Sequence, residues 1–171
     1  MHITSCLWMS TSTITNEYNS EYVPELDNDC ELVWAAKMNL KGNGNIYICA
    51  YYRRNVTDEE SIRNFETSVT RASDMNNATI IIGGDMNFPG WNWKEYTLKP
   101  NSTAPNLHTD FMDVLNNNAL TQLVEEPTRQ QNTLDLILTN HLGKVLLWLR
   151  KTINVLMFTF RRMPGKMFSN L

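Results

Sequence analysis

Runs of apolar, β-branched residues mark the places where this chain is expected to form strands. Residues 31–40 and 46–52 are two such runs, and the Lys-Gly-Asn-Gly-Asn sequence between them is a strong turn signal, so the pair predicts a β-hairpin. A third run, from Thr79 to Ile82, is apolar enough to predict a fully buried strand. Shorter runs at residues 121–124 and 133–139 predict two further strands.

Two other stretches show helical spacing. The first helix is predicted to begin with Thr57 as its N-cap and Glu60 completing a capping box. Its core-facing stripe is expected to consist of Ile62, Phe65, Val69 and Ala72. A long loop from Phe88 to Pro105 is followed by a predicted short helix over residues 107–115. The order strand, strand, helix, strand, helix, strand, strand predicts an α/β fold in which helices cover a sheet.

The composition suits one ordinary globular domain, but the charge is divided unevenly along the chain. Residues 1–140 carry nine basic and eighteen acidic side chains, a net of −9, whereas residues 141–171 carry six basic side chains and no acidic one. An acidic body is a poor non-specific ligand for nucleic acid, so a polyanionic substrate would need metal ions or the basic tail. Cys49 lies in an apolar run and is expected to be a core residue.

Two segments, at the start of the chain and at residues 146–160, bear on where the protein is located. The first fifteen residues lack the basic start and the apolar stretch of a secretion signal, which predicts an intracellular protein, nuclear or cytoplasmic and not secreted. The apolar segment at residues 146–160 is interrupted by Arg150 and Lys151, and it falls short of the roughly 18–20 apolar residues that span a membrane. A basic helix lying on a membrane surface is left open as an alternative.

Polar chemistry is concentrated where the predicted buried strand ends. Two glycines release the backbone there, and Asp85 and Asn87 follow them, two residues apart and able to point in the same direction. A carboxylate and an amide held in this way suit the orientation of a water molecule and the binding of a phosphate oxygen. An Asx turn that merely caps the strand is the alternative.

Three separated signals resemble one family when they are considered together. They are the sequences at residues 50–55, 83–87 and 126–135, and they are similar to those of the endonuclease/exonuclease/phosphatase superfamily, which includes deoxyribonuclease I. From about Tyr18 to Gly143 the chain most resembles the endonuclease domain of non-LTR retrotransposons. The Trp-rich loop after Asn87, the Glu-Pro-Thr-Arg stretch and residues 133–140 carry this narrower likeness.

The resemblance implies a role for five residues. It makes Tyr52 a phenol that contacts the scissile phosphate and Asn55 an amide nearby. It makes Asp85 the group that orients or deprotonates the attacking water, Asn87 a ligand of the phosphate and of a metal-side water, and Asp135 the carboxylate that orients a catalytic histidine. It also implies DNA as substrate and Mg²⁺ or Mn²⁺ as cofactor, with Asp85 and Asn87 as the metal-binding residues present.

Each of these residues also has a purely structural interpretation. Tyr52 is also compatible with a strand-end aromatic, Asn55 with a cap for the following helix, and Asp135 with a strand cap. Arg53 and Arg54 are compatible with plain solvated charges, an interpretation that we favour for Arg54.

The chain also departs from the family. The metal-binding glutamate expected upstream of Tyr52 has no recognisable counterpart, and the closing Ser-Asp-His triplet is absent from the sequence. Of the histidines, neither His108 nor His141 follows an aspartate, and both are predicted to lie at the surface. The abrupt change to basic, acid-free sequence near Gly143 suggests a lost reading frame.

These departures lead to a specific expectation for the domain. We expect a partial four-layer α/β sandwich of the deoxyribonuclease I type over residues 21–143, lacking the N-terminal strands and the C-terminal strand. Residues 1–20 are expected to be poorly ordered and residues 144–171 to be a basic, apolar tail unrelated to the fold. The predicted function is a truncated phosphodiesterase with little or no activity, and the alternative is a non-catalytic remnant that binds a protein or a membrane.

Overall fold

The computed structural model describes residues 21–28, 32–39 and 44–144. Within them, a short 3-10 helix (Pro24–Leu26) precedes strand β1 (Leu32–Asn39) and strand β2 (Asn45–Tyr52). Helix α1 (Glu59–Ser73) leads to strand β3 (Ala78–Asp85). The remaining elements are β4 (Trp91–Asn92), β5 (Thr97–Leu98), helix α2 (Pro105–Asn117), β6 (Thr121–Gln122) and β7 (Asp135–Thr139).

One five-stranded sheet, in the order β1-β2-β3-β7-β6, organises the domain, and β4 and β5 form a separate hairpin. Strands β1 and β2 are antiparallel, which confirms the predicted hairpin. Strands β2 and β3 run parallel because α1 carries the chain back between them, whereas β3 and β7 are antiparallel. The predicted α/β class is confirmed, and the described residues supply one sheet and one helical layer.

The core lies between the helices and one face of this sheet. Alternate residues of β2, β3 and β7 face the helices, and Tyr51 contacts Phe65 of α1 with 4.8 Å between ring centroids. Phe65 in turn lies 5.7 Å from Phe111 of α2. The predicted stripe of α1 is fully buried, as is Cys49. These contacts fix the sheet relative to the helices, and with it the position of the carboxyl ends of β2 and β3.

Gly84 shows why a glycine directly precedes Asp85. Its φ is +150°, and a Cβ atom at this position would lie 1.8 Å from the carbonyl oxygen of Tyr51 on the neighbouring strand. Only glycine allows such a close approach of two backbones. The close strand contact therefore sets the position of the carboxylate that follows.

The predicted element boundaries need several corrections. The N-cap of α1 is Asp58, which accepts a hydrogen bond from Ser61 N, and not Thr57. Thr57 is engaged instead by the side chain of Asn55, which accepts from both its N–H and its hydroxyl group. The predicted loop before α2 contains the hairpin of β4 and β5, and β6 is only two residues long.

The two ends of the chain, residues 1–20 and 145–171, lie outside the described residues, as do the turn residues 40–43. The expectations for disorder at the N-terminus and for an unrelated tail therefore stay predictions. Within the part of the chain that the structure describes, no helix is both long and apolar enough to cross a membrane.

Candidate active site

Three of the predicted site residues lie in a single row across the sheet. Tyr52 at the end of β2 is the register partner of Asp85 at the end of β3, and Asp85 is the register partner of Asp135 at the start of β7. Directly paired residues on adjacent strands project their side chains from the same face of a sheet. The fold thus brings together a phenol and two carboxylates that are far apart in sequence.

Asp85 is the buried member of this row, and both of its carboxylate oxygens have partners. Oδ1 accepts the backbone N–H of Asn87 at 3.0 Å, and Oδ2 accepts Nη2 of Arg129 at 3.1 Å. Burial raises the pKa of the Asp85 carboxyl above its ordinary value, and the nearby charge of Asp135 raises that pKa further. The charge of Arg129 and the hydrogen bond from the Asn87 backbone N–H lower the pKa of Asp85, but by less than burial and Asp135 raise it.

Asn87 connects the ends of two strands. Its backbone has a φ of +52°, in the left-handed region that asparagine tolerates better than most residues. Its amide nitrogen donates to the carbonyl oxygens of Arg54 at 3.1 Å and of Arg53 at 3.4 Å. The Asx-turn interpretation is therefore correct for the Asp85–Asn87 contact, and the same turn holds the Asn87 side chain beside the end of β2.

Arg53 is not a solvated charge, in contrast to one of the interpretations above. Its side chain is only 1% exposed, and its guanidinium group donates to the carbonyl oxygens of Val56, Asp58 and Asn87 at 2.8–3.4 Å. It also lies over the ring of Phe88, 4.3 Å from the centroid. Arg53 thus joins the end of β2, the start of α1 and the turn after β3. Arg54 is exposed, as expected.

Asn55 is exposed, and its side-chain oxygen is bonded locally to Thr57. The interpretation of Asn55 as a cap for the following helix is wrong, because Asn55 closes the turn before α1 and the N-cap is Asp58. The role implied for Asn55 at a phosphate stays a prediction.

Arg129 is a site residue that the sequence interpretation missed. It lies on a tight turn in which the N–H groups of Thr128 and Arg129 both donate to the carbonyl oxygen of Asn132 at 3.0 Å. The turn is held from outside by Lys99, whose Nζ donates to Asn132 Oδ1 at 2.8 Å and to Pro89 O at 2.9 Å. The only sequence signal was the Glu-Pro-Thr-Arg stretch, which contributed to the family likeness without assigning a role to its arginine.

The prediction that His108 lies at the surface is wrong. His108 is 1% exposed, its Nε2 accepts Gly90 N–H at 3.1 Å, and its Nδ1 lies 3.0 Å from the carbonyl oxygen of Ala104. These partners require a neutral ring with the proton on Nδ1, and burial lowers the pKa of His108. His141 is exposed, as predicted.

Neither described histidine serves as the partner that the resemblance implies for Asp135. The bonds of His108 go to Gly90 and Ala104, and those of His141 go to Thr139 and Lys144. The backbone N–H of Asp135 donates to Thr128 Oγ1 at 3.0 Å, which ties β7 to the Arg129 turn. The predicted role of Asp135 in orienting a histidine is thus untested.

The donor set at Asp85 and Asn87 does not by itself fit a divalent metal. Mg²⁺ requires about six oxygen ligands in octahedral geometry. Here both Asp85 oxygens are already bonded, one of them to a cation, and the Asn87 amide group donates to carbonyl oxygens. Over residues 21–28, 32–39 and 44–144, no group of three or more His, Cys, Asp or Glu side chains is arranged to hold a metal ion.

The family model described as endonuclease-reverse transcriptase matches residues 46–156, about two thirds of the chain. Among solved structures, the endonuclease domain of TRAS1, a telomere-specific non-LTR retrotransposon, is similar with 19% identity and a TM-score of 0.49. That match covers 70% of this chain and 52% of the TRAS1 domain, so this chain spans about half of its length. No curated protein matches. On the extent of the family match, the chain belongs to the endonuclease-reverse transcriptase family.

Proposed function

We propose that this domain derives from a retroelement endonuclease and cleaves the phosphodiester backbone of DNA, with low activity in its present form. The observation that carries the proposal is the row of Tyr52, Asp85 and Asp135 at adjacent strand ends, with Arg129 bonded to the central carboxylate. The family match points in the same direction.

Asp85 would act on the attacking water. A carboxylate whose pKa is raised by burial is a stronger base than an exposed one, and a neighbouring cation favours the ionised form that accepts the proton. Arg129 is placed to supply that cation. In cleavage, water attacks phosphorus while its proton passes to Asp85, the bond from phosphorus to the leaving oxygen breaks, and that oxygen takes up a proton from solvent.

Tyr52 and Arg129 would act on the phosphate. Two carboxylates in one row repel an anion, so a phosphodiester needs positive charge or hydrogen-bond donors at this edge of the sheet. The guanidinium group of Arg129 remains 46% exposed while it contacts Asp85, and the half-buried Tyr52 offers a hydroxyl group. The proposed role of Asn87 is to hold this edge together through the two carbonyl groups that it contacts.

A Mg²⁺ or Mn²⁺ requirement is proposed from the family alone. When bound, such an ion would stabilise the negative charge that develops on the phosphate. Since the described donors do not complete an ion site, the remaining ligands would have to come from groups beyond Asp85 and Asn87. This shortage is the reason for proposing low activity, and it is the observation that favours the alternative, a non-catalytic protein.

A nicking assay tests the proposal. Supercoiled plasmid would be incubated with the full chain in Mg²⁺, in Mn²⁺ and in a chelator, beside Asp85→Ala and the matched control Asp110→Ala, which removes an exposed carboxylate from α2. Metal-dependent nicking that is lost in Asp85→Ala and kept in Asp110→Ala is the expected result. Equal nicking by all three proteins, or none by the parent chain, would identify the domain as the non-catalytic alternative.

A further inference from the structure

A second candidate site lies away from the row of strand ends, beside the short hairpin. The hairpin of β4 and β5 folds toward the C-terminal end of α2 and the edge strand β6, and a cavity of about 490 Å³ lies between them. Its walls include Trp93 and Tyr96 from the hairpin, Asn116 from α2, and Glu125 from the segment after β6. Small-molecule sites span roughly 300–1,000 Å³, so this volume admits a planar ring with its attached sugar.

Tyr96 is held in an unusual way at the border of this cavity. It is 56% exposed, although it is a large aromatic side chain, and its φ of +54° is rare for such a residue. Its ring meets Trp91 edge-on with 5.7 Å between centroids, and its hydroxyl group donates to Asn116 Oδ1 at 3.3 Å. The hairpin therefore holds the ring of Tyr96 exposed to solvent, and the positive φ of this residue indicates backbone strain.

Trp93 supplies the second observation. It borders the cavity, but its indole Nε1 is enclosed by protein atoms and is not open to the cavity. A ligand in the cavity would therefore meet carbon atoms of the indole ring, which suit a flat apolar surface such as the face of a base.

The charge of the cavity indicates which part of a nucleic acid would enter. The described residues that line it include no lysine or arginine, and Glu125 contributes an exposed carboxylate. A phosphate group would be repelled by this carboxylate, whereas a base with an amino group would donate to it. Aromatic side chains stack on bases of any sequence, and each base stacked in this way strengthens binding.

We propose that this cavity binds one unpaired nucleobase that carries an exocyclic amine. The base stacks on Tyr96, packs against the indole ring of Trp93, and donates from its amine to Glu125. The inference rests on the proposed action on DNA, and it assigns to the hairpin the recognition of a base that has left the duplex, separate from the groups that act on the phosphate.

Binding without cleavage tests the proposal. The full chain with Asp85→Asn would be titrated, by fluorescence anisotropy, with three duplexes that differ at one bulged position: adenine, purine without the 6-amine, and an abasic sugar. We expect the adenine duplex to bind about tenfold more tightly than the abasic one, with purine between them. Equal affinity for all three duplexes, or no measurable binding to any of them, overturns the proposal.

Two variants locate the effect within the cavity. Tyr96→Ala should abolish the preference for a base over the abasic sugar, and Tyr22→Ala, which removes another exposed tyrosine, should leave it unchanged. Glu125→Ala should remove the difference between adenine and purine while purine still binds better than the abasic site. Because Glu125 is exposed, Glu125→Ala is expected to fold. This comparison therefore remains informative even if Tyr96→Ala does not fold. An adenine preference that survives both substitutions overturns the proposal.

The nicking assay separates this inference from the proposed function. If the parent chain nicks DNA but the three duplexes bind equally, the inference about the cavity is overturned and the proposed function is not. Base-selective binding without nicking removes the proposed catalytic function and leaves the cavity as a base-binding site.

Discussion

Arg129 and Asp85 are 44 residues apart in the sequence, yet the guanidinium group of one lies 3.1 Å from the carboxylate of the other. The two side chains differ sharply in exposure, because Arg129 reaches in from a surface turn and Asp85 is enclosed at the end of β3. The pair sets the charge of the candidate site. Without the arginine, the described row would present two carboxylates and no cation to an incoming phosphodiester.

Replacing Arg129 tests this relationship. In Arg129→Gln we expect the pKa of Asp85 to rise further, because the charge of the arginine is the largest influence that lowers it, and nicking to fall about 100-fold. The pH profile of nicking should shift to higher pH, and Arg129→Lys should recover part of the loss. Arg63→Gln, which breaks an exposed ion pair with Glu59 on α1, is the matched control. A pH profile identical to that of the parent would show that the pair does not control Asp85.

Asp85 itself is expected to reduce stability at neutral pH. Its folded pKa is raised above 3.8, so the protonated form is favoured in the fold, and the stability that this form contributes is lost as the pH rises through the folded pKa. Asp85→Asn should therefore raise the free energy of unfolding at pH 7 by about 1 kcal/mol while abolishing nicking. Denaturant unfolding at pH 7 and below pH 3.8 should show this gain at the higher pH only. Destabilisation at pH 7 would mean that the pairing with Arg129 outweighs the cost of burial.

Local patterns in the sequence were sufficient to predict most of the elements. Continuous apolar runs identified β2 and β3, and the spacing of Ile62 and Phe65 identified α1, because such patterns depend only on how one element is buried. The glycines before Asp85 likewise marked a strand end. The boundaries of the elements were less predictable. The N-cap of α1 is Asp58 and not Thr57, whose N–H group donates to the side chain of Asn55.

The residues that the sequence did not reveal are polar side chains whose burial or hydrogen bonding depends on distant partners. Arg53 is buried because three carbonyl groups from two separate turns converge on it, and His108 is buried because Gly90 N–H requires its ring nitrogen. Arg129 reaches Asp85 only because β7 pairs with β3. No local pattern records these contacts, so composition and spacing indicated solvent-exposed residues instead.

The buried guanidinium group of Arg53 gives a second prediction about stability. Arg53→Met keeps the length of the apolar stem but leaves the carbonyl groups of Val56 and Asp58 without their donor. We expect a loss of about 3 kcal/mol in the free energy of unfolding, because buried acceptors would lose charged partners. Arg71→Met, at an exposed position on α1 where the arginine contacts Asn28, should cost about 0.5 kcal/mol or less. Thermal unfolding of the two variants would compare them, and equal losses would contradict a structural role for Arg53.

His108 makes the stability of the Trp-rich loop sensitive to pH. Its folded pKa is lowered, so the neutral ring is favoured in the fold, and protonation would remove the acceptor for Gly90 N–H. The contribution of His108 is fully present above its ordinary pKa of 6.5, and it is lost as the pH falls from 6.5 toward the lowered folded value. The loss should approach a slope of about 1.4 kcal/mol per pH unit in that window. His108→Gln keeps an acceptor and a donor but cannot titrate, so its unfolding free energy should lack this dependence, whereas the exposed control His141→Gln should retain it. A parent protein whose stability is flat between pH 7 and pH 5 would show that the ring is not held neutral.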